Sequence, residues 1–107
     1  EESALHGSAM ASYYAGRLEE SARYLFSLLA RRPGKFEAWN DLGVIQLENG
    51  QPVQATISFE KALELGDPRS GTKCNLATAL AEEGLVVRGL PPATRAVVGA
   101  VAVGGAA

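Results

Sequence analysis

The stretch Trp39-Asn40-Asp41-Leu42-Gly43-Val44-Ile45-Gln46-Leu47-Glu48-Asn49-Gly50-Gln51-Pro52 decides the fold. Trp39, Leu42, Gly43 and Gln46 stand at i, i+3, i+4 and i+7, which is one face of a helix. Asn49-Gly50 ends that helix, because glycine accepts the left-handed conformation a helix C-terminus needs. Pro52 then suits the first turn of a second helix, where its missing N–H costs nothing. Ala55, Phe59 and Ala62 form the apolar stripe of that second helix, and Gly66-Asp67-Pro68 stops it. The unit is helix, tight turn, helix.

Outward from this unit the pattern recurs. Gly16, Gly50 and Gly84 are spaced by 34 and 34 residues. Ser21 and Ala55 are 34 apart and both small, Leu25 and Phe59 both large and apolar, and Leu28 pairs with Ala62. Leu42 with Leu76 and Gly43 with Ala77 hold the same register. The first unit carries the same punctuation. Gly16 breaks its first helix, and Glu19-Glu20 favour the positive end of the second. Arg31-Arg32 favour its negative end, and Pro33-Gly34 closes it. Helices are therefore predicted near 3–15, 18–31, 36–48, 52–65 and 71–83, with no strands.

These residues resemble the tetratricopeptide repeat. In the middle unit the family pattern is matched by Trp39, Leu42-Gly43, Gly50, Ala55, Phe59 and Ala62. Phe59-Glu60-Lys61-Ala62-Leu63-Glu64-Leu65 is close to the family consensus. Gln46 replaces the family's Tyr, and the proline arrives one place late at Pro68. The first unit is more degenerate, with Leu5, Ser8-Ala9 and Ser12 at the signature positions and Pro33 in its place. The third keeps only its first helix, with Leu76-Ala77, Leu80 and Gly84. The resemblance implies an all-α fold, a short right-handed α-solenoid of antiparallel helix pairs with five helices and a C-terminal tail. The units are 2–35, 36–69 and a half repeat over 70–84, in a domain spanning 1–84. Solenoid units bury their apolar faces only by stacking, so the last helix caps the one before it. Small residues allow close crossings: Gly43 with Ala55 inside the unit, and Ala62 with Ala77 between units. Trp39, Leu42, Phe59 and Leu63 are expected to be buried.

Composition divides the chain at 84/85. All twelve Asp+Glu and all seven aromatics precede the division, with eight Lys+Arg, for a net charge of −4. The last 23 residues hold two arginines and no acid, and 16 of them are Ala, Val or Gly. Pro91-Pro92 would break a helix where the third unit's second helix belongs. The tail 85–107 is read as disordered or, over 93–103, a short helix. The opening Glu1-Glu2-Ser3 is acidic, unlike a secretory signal, and no apolar run is long enough to span a bilayer. The expectation is a cytoplasmic protein with no membrane partner. The start without Met and the abrupt end favour a fragment.

Net charge −2 over 107 residues offers no excess to neutralise phosphates, so no nucleic-acid partner is expected. One cysteine makes no internal disulfide, and one histidine with one cysteine supplies no usual structural zinc site. His6 has no nucleophile in obvious company, and Cys74 beside Lys73 shows neither a base nor a cause for a depressed pKa. Glu19-Glu20 and Glu82-Glu83 flank helix turns, where solvated carboxylates are ordinary. The chain is read as no enzyme, with no cofactor and no metal.

The groove is the one site the resemblance implies. Family members take a peptide on a concave surface lined by the first helix of each unit. Carried over residue by residue, that surface is His6, Met10 and Tyr13, then Asn40, Val44 and Leu47, then Cys74, Thr78 and Ala81, with Glu37, Asp41 and Glu48 at the margin. The cationic clamp of the chaperone-binding members is missing: its places read His6, Met10, Asp41, Cys74 and Asn75. The expected partner is a basic or apolar peptide segment of another protein. Two functions fit: a scaffold or adaptor, or the non-catalytic arm of a larger bacterial enzyme such as a glycosyltransferase or methyltransferase.

Overall fold

The computed structural model describes residues 2–87, and these hold five α-helices and no strand. They are α1 (Glu2–Tyr14), α2 (Leu18–Arg31), α3 (Phe36–Glu48), α4 (Pro52–Glu64) and α5 (Ser70–Val87). The starts of α1, α3 and α5 fall at 2, 36 and 70, and those of α2 and α4 at 18 and 52. The helix pair thus recurs with the 34-residue period of the sequence.

The turns repeat in atomic detail. After α1, Arg17 N–H bonds Ser12 O at 2.8 Å and Gly16 N–H bonds Tyr13 O at 3.0 Å. After α3, Gln51 N–H bonds Gln46 O at 2.8 Å and Gly50 N–H bonds Leu47 O at 3.2 Å. This is the paired 6→1 and 5→2 closure that satisfies orphan helix carbonyls, and it needs a left-handed residue. Gly16 and Gly50 supply it, at φ +82° and +78°. The same closure comes after α4, where Asp67 N–H reaches Ala62 O and Gly66 N–H reaches Leu63 O.

Gly84 does not make the third turn of the series. It lies inside α5 with no positive φ, and the helix runs on to Val87. The physical reason lies in the residues C-terminal to each glycine. After Gly50 stand Gln51-Pro52, which start a new helix, whereas after Gly84 stand Leu85-Val86-Val87, with no cap and no proline. A glycine inside a helix costs only about 1 kcal/mol against alanine. The boundary at 84/85 is therefore compositional, not structural. The reading of residues 88–107 as disordered or a short helix lies outside the described residues.

The core forms two clusters. Ala9, Leu25, Leu28, Leu29, Ala38, Leu42 and Ile45 pack together from α1, α2 and α3. Val44, Leu47, Ala55, Phe59 and Ala79 pack from α3, α4 and α5. Buried large apolar side chains each contribute about 1.5–3 kcal/mol. α3 is the central element, buried at every position from Asn40 to Ile45. Two expected core residues are only half-buried. Leu63 is one. Trp39 is the other: it leans on the first cluster and donates its indole N–H to Pro33 O at 2.9 Å, strapping the α2–α3 turn to α3. Ala62 is buried but Ala77 is exposed. The buried stripe of α5 is Thr72, Asn75, Ala79 and Glu82, which turns Ala77 away from α4.

Candidate functional site

The first helices of the units lie with α3 between α1 and α5, and polar side chains tie them together. His6 Nε2 on α1 is 3.0 Å from Asp41 Oδ2 on α3. One heptad further along both helices, Tyr13 donates its hydroxyl to Glu48 Oε2 at 2.7 Å. Between α3 and α5, Asn75 Nδ2 donates to Asn40 Oδ1 at 3.3 Å. Each of these contacts spans 35 residues. Two pairs ascending together show that α1 and α3 run parallel, as successive first helices must after two reversals.

The electrostatics derive from burial. Asp41 is fully buried, and burial pushes its carboxyl above the usual range, with the His6 hydrogen bond and the nearby Arg69 guanidinium pulling it back. Tyr13 is pushed up by burial and by the Glu48 carboxylate it bonds, so its hydroxyl stays a donor. At the entry to α5, Asp67 is also buried, which pushes its carboxyl up. Its bonds to Arg69 and Thr72 outweigh that and hold it below the usual range. Arg69 grips both Asp67 oxygens at 2.9 Å, and Thr72 donates to Oδ2 at 2.6 Å. The Arg69 guanidinium also sits 5.7 Å from the centre of the Phe36 ring.

The structure sorts the predicted groove residues into two groups. Asn40, Val44 and Leu47 have no exposed surface, which corrects their reading as an open lining. Their helix is covered by α1 on one side and by α4 and α5 on the other: Val44 and Leu47 pack in the cluster of Phe59 and Ala79, with Met10, Tyr13 and Leu76 against it. Asp41 is likewise a buried link to His6 and not a margin residue. His6, Met10, Tyr13, Glu37, Glu48 and Thr78 keep part of their surface open, and Cys74 and Ala81 are exposed. A gap between α1 and α3, lined by Met10, Tyr13, Asp41, Val44 and Ile45, is a packing seam and not a cavity. The acidic margin is partly balanced, since Arg69 acts on both Asp41 and Glu37.

The Asp67–Arg69–Thr72 corner is not anticipated by the helical periodicity. Its local signal is an Asp two residues before a backbone N–H it can accept from, and Arg69 N–H does donate to Asp67 Oδ1 at 3.0 Å. Among the described residues, no three His, Cys, Asp or Glu side chains converge as metal ligands do. No described helix is long and apolar enough to cross a membrane. No protein-family model, curated protein or solved structure matches the chain.

Proposed function

We propose that this helical array is a tetratricopeptide-like, right-handed solenoid segment whose work is protein–protein interaction, as a scaffold or adaptor. The observation that carries the reading is the recurrence of helix starts at 2, 36 and 70 and at 18 and 52, with the same turn geometry after α1 and α3. Such recurrence builds an extended surface from successive first helices, and surfaces of this kind recognise peptides. The peptide contacts are the accessible members of the predicted set: His6, Met10, Tyr13, Glu37, Glu48, Cys74 and Thr78. Asn40, Val44 and Leu47 hold the helices under that surface. Glu37 and Glu48 favour a basic segment, and Met10 and Tyr13 offer adaptable apolar contact.

The test is an array of short peptides, basic, apolar and acidic, probed with the folded protein. Basic peptides should bind most tightly, and Glu37→Lys combined with Cys74→Arg should weaken them by about tenfold or more while the helical circular dichroism is unchanged. Binding of no peptide class, or equal binding by the double variant, would overturn the reading.

A further inference from the structure

The internal repeat supplies its own comparison for α5. On α1, Ala9 is completely buried beneath α2, whose Ser21 donates its hydroxyl to Ala9 O at 2.7 Å. On α3 the corresponding Gly43 is buried beneath α4, with the Phe59 ring against it. On α5 the corresponding residue is Ala77, and it is exposed, together with Lys73, Leu80 and Ala81. Leu80 keeps 49% of its surface open. One face is therefore covered by an antiparallel helix on α1 and on α3, and among the described residues nothing covers it on α5. Nor does the chain reverse where it does in the other units: α5 runs straight through Gly84 to Val87.

From this face we infer that α5 pairs antiparallel with α5 of a second copy of this chain, each taking the place that α2 takes on α1. The face is self-complementary. Lys73, Ala77, Leu80 and Gly84 form one helical stripe, and reversing it end to end puts Leu80 over Ala77 of the partner subunit and Lys73 over Gly84 of the partner subunit. Large meets small at both contacts, which lets the helices approach as closely as those inside each unit do. The space over Gly84 is open, with nothing within 4 Å of where a Cβ would stand. Glu83 stands on the α4 flank of the stripe, half-buried, with Oε1 accepting from Thr56 Oγ1 at 3.3 Å. The Lys73 stem crosses over Gly84 and brings its ammonium to the carboxylate of Glu83 of the partner subunit, and the symmetry makes this ion pair twice. Opposed helix dipoles add to it. An 18-residue helix is about 27 Å long, so the seam is small and the dimer is weak and reversible.

Sedimentation velocity on the full chain over a wide concentration range tests the pairing. Reversible dimerisation is expected. Leu80→Glu should raise the dissociation constant by about tenfold or more. Lys73 is exposed, and Glu83 is half-buried with a bond from Thr56 of α4. Lys73→Glu and Glu83→Lys should each raise it about threefold or more with the helical circular dichroism unchanged, whereas Thr56→Val, which removes only the Thr56 hydroxyl, should leave it unchanged. The double variant Lys73→Glu with Glu83→Lys should return it close to the parent value. A monomer at every concentration overturns the inference, whether residues 88–107, another protein or solvent meets the face. So does a dimer indifferent to Leu80→Glu, or a charge swap that fails to restore.

Discussion

Gly43 lies so close under Phe59 that a Cβ built on it would stand 2.6 Å from Cε1, 2.7 Å from Cδ1 and 2.9 Å from Cζ of the ring. Phe59 is fully buried, so its ring has nowhere to retreat. The glycine of α3 and the aromatic of α4 thus set the spacing of the middle helix pair. Gly43→Ala should destabilise by about 1–3 kcal/mol, the range for overpacking a core, although alanine is the better helix former. A urea melt that shows the variant equal to or more stable than the parent would refute this crossing.

Phe59→Ala removes the other half of the contact. It should cost about 3–5 kcal/mol, enough to unfold much of an array this small. Loss of helical circular dichroism at room temperature, or a melt displaced far downward, is the expected result.

The three glycines of the 34-residue series should answer differently to one substitution. Gly50 holds a φ of +78°, where a side chain is strained, so Gly50→Ala should cost about 1 kcal/mol of stability or more and lower the melting temperature. Gly16→Ala should do the same. Gly84 sits inside α5 with open space around it, so Gly84→Ala should raise stability by up to about 1 kcal/mol. Parallel thermal melts of the three variants decide it.

This contrast also marks how far the fold is legible in the sequence. Helix starts and the turns at Gly16, Gly50 and Gly66 are set by residue type, because glycine geometry and Pro52 are local effects. Gly84 cannot be read the same way, since a glycine stops a helix only when the residues after it start something else. The depth of Asn40, Val44 and Leu47 is hidden for another reason. Periodicity says which residues share a face, but not whether a neighbouring helix covers it, and α1, α4 and α5 together cover these three residues of α3. The polar links His6–Asp41 and Asn40–Asn75 are non-local, and no pattern within one helix shows them.

Two buried carboxylates should give opposite pH signatures. Asp41 is held above the usual carboxylate range, so the stability it contributes is present below its unfolded value, near pH 4, and is lost as pH rises through the folded one. Asp67 is held below that range, so its contribution is present above the unfolded value and is lost as pH falls through the folded one. Between about pH 4 and 7, Asp41→Asn should therefore gain stability relative to the parent, and Asp67→Asn should lose it. Denaturant midpoints at the two pH values check both signs.

The exposed edge of α1, α3 and α5 is proposed to take a basic peptide segment, and backbone amide NMR during titration with a lysine-rich peptide tests this residue by residue. Shifts should concentrate at His6, Tyr13, Glu37, Glu48, Cys74 and Thr78, and should fade as salt is raised. Shifts confined to the exposed side of α2 and α4, around Phe26, Val53 and Ile57, or no shifts at all, would contradict it.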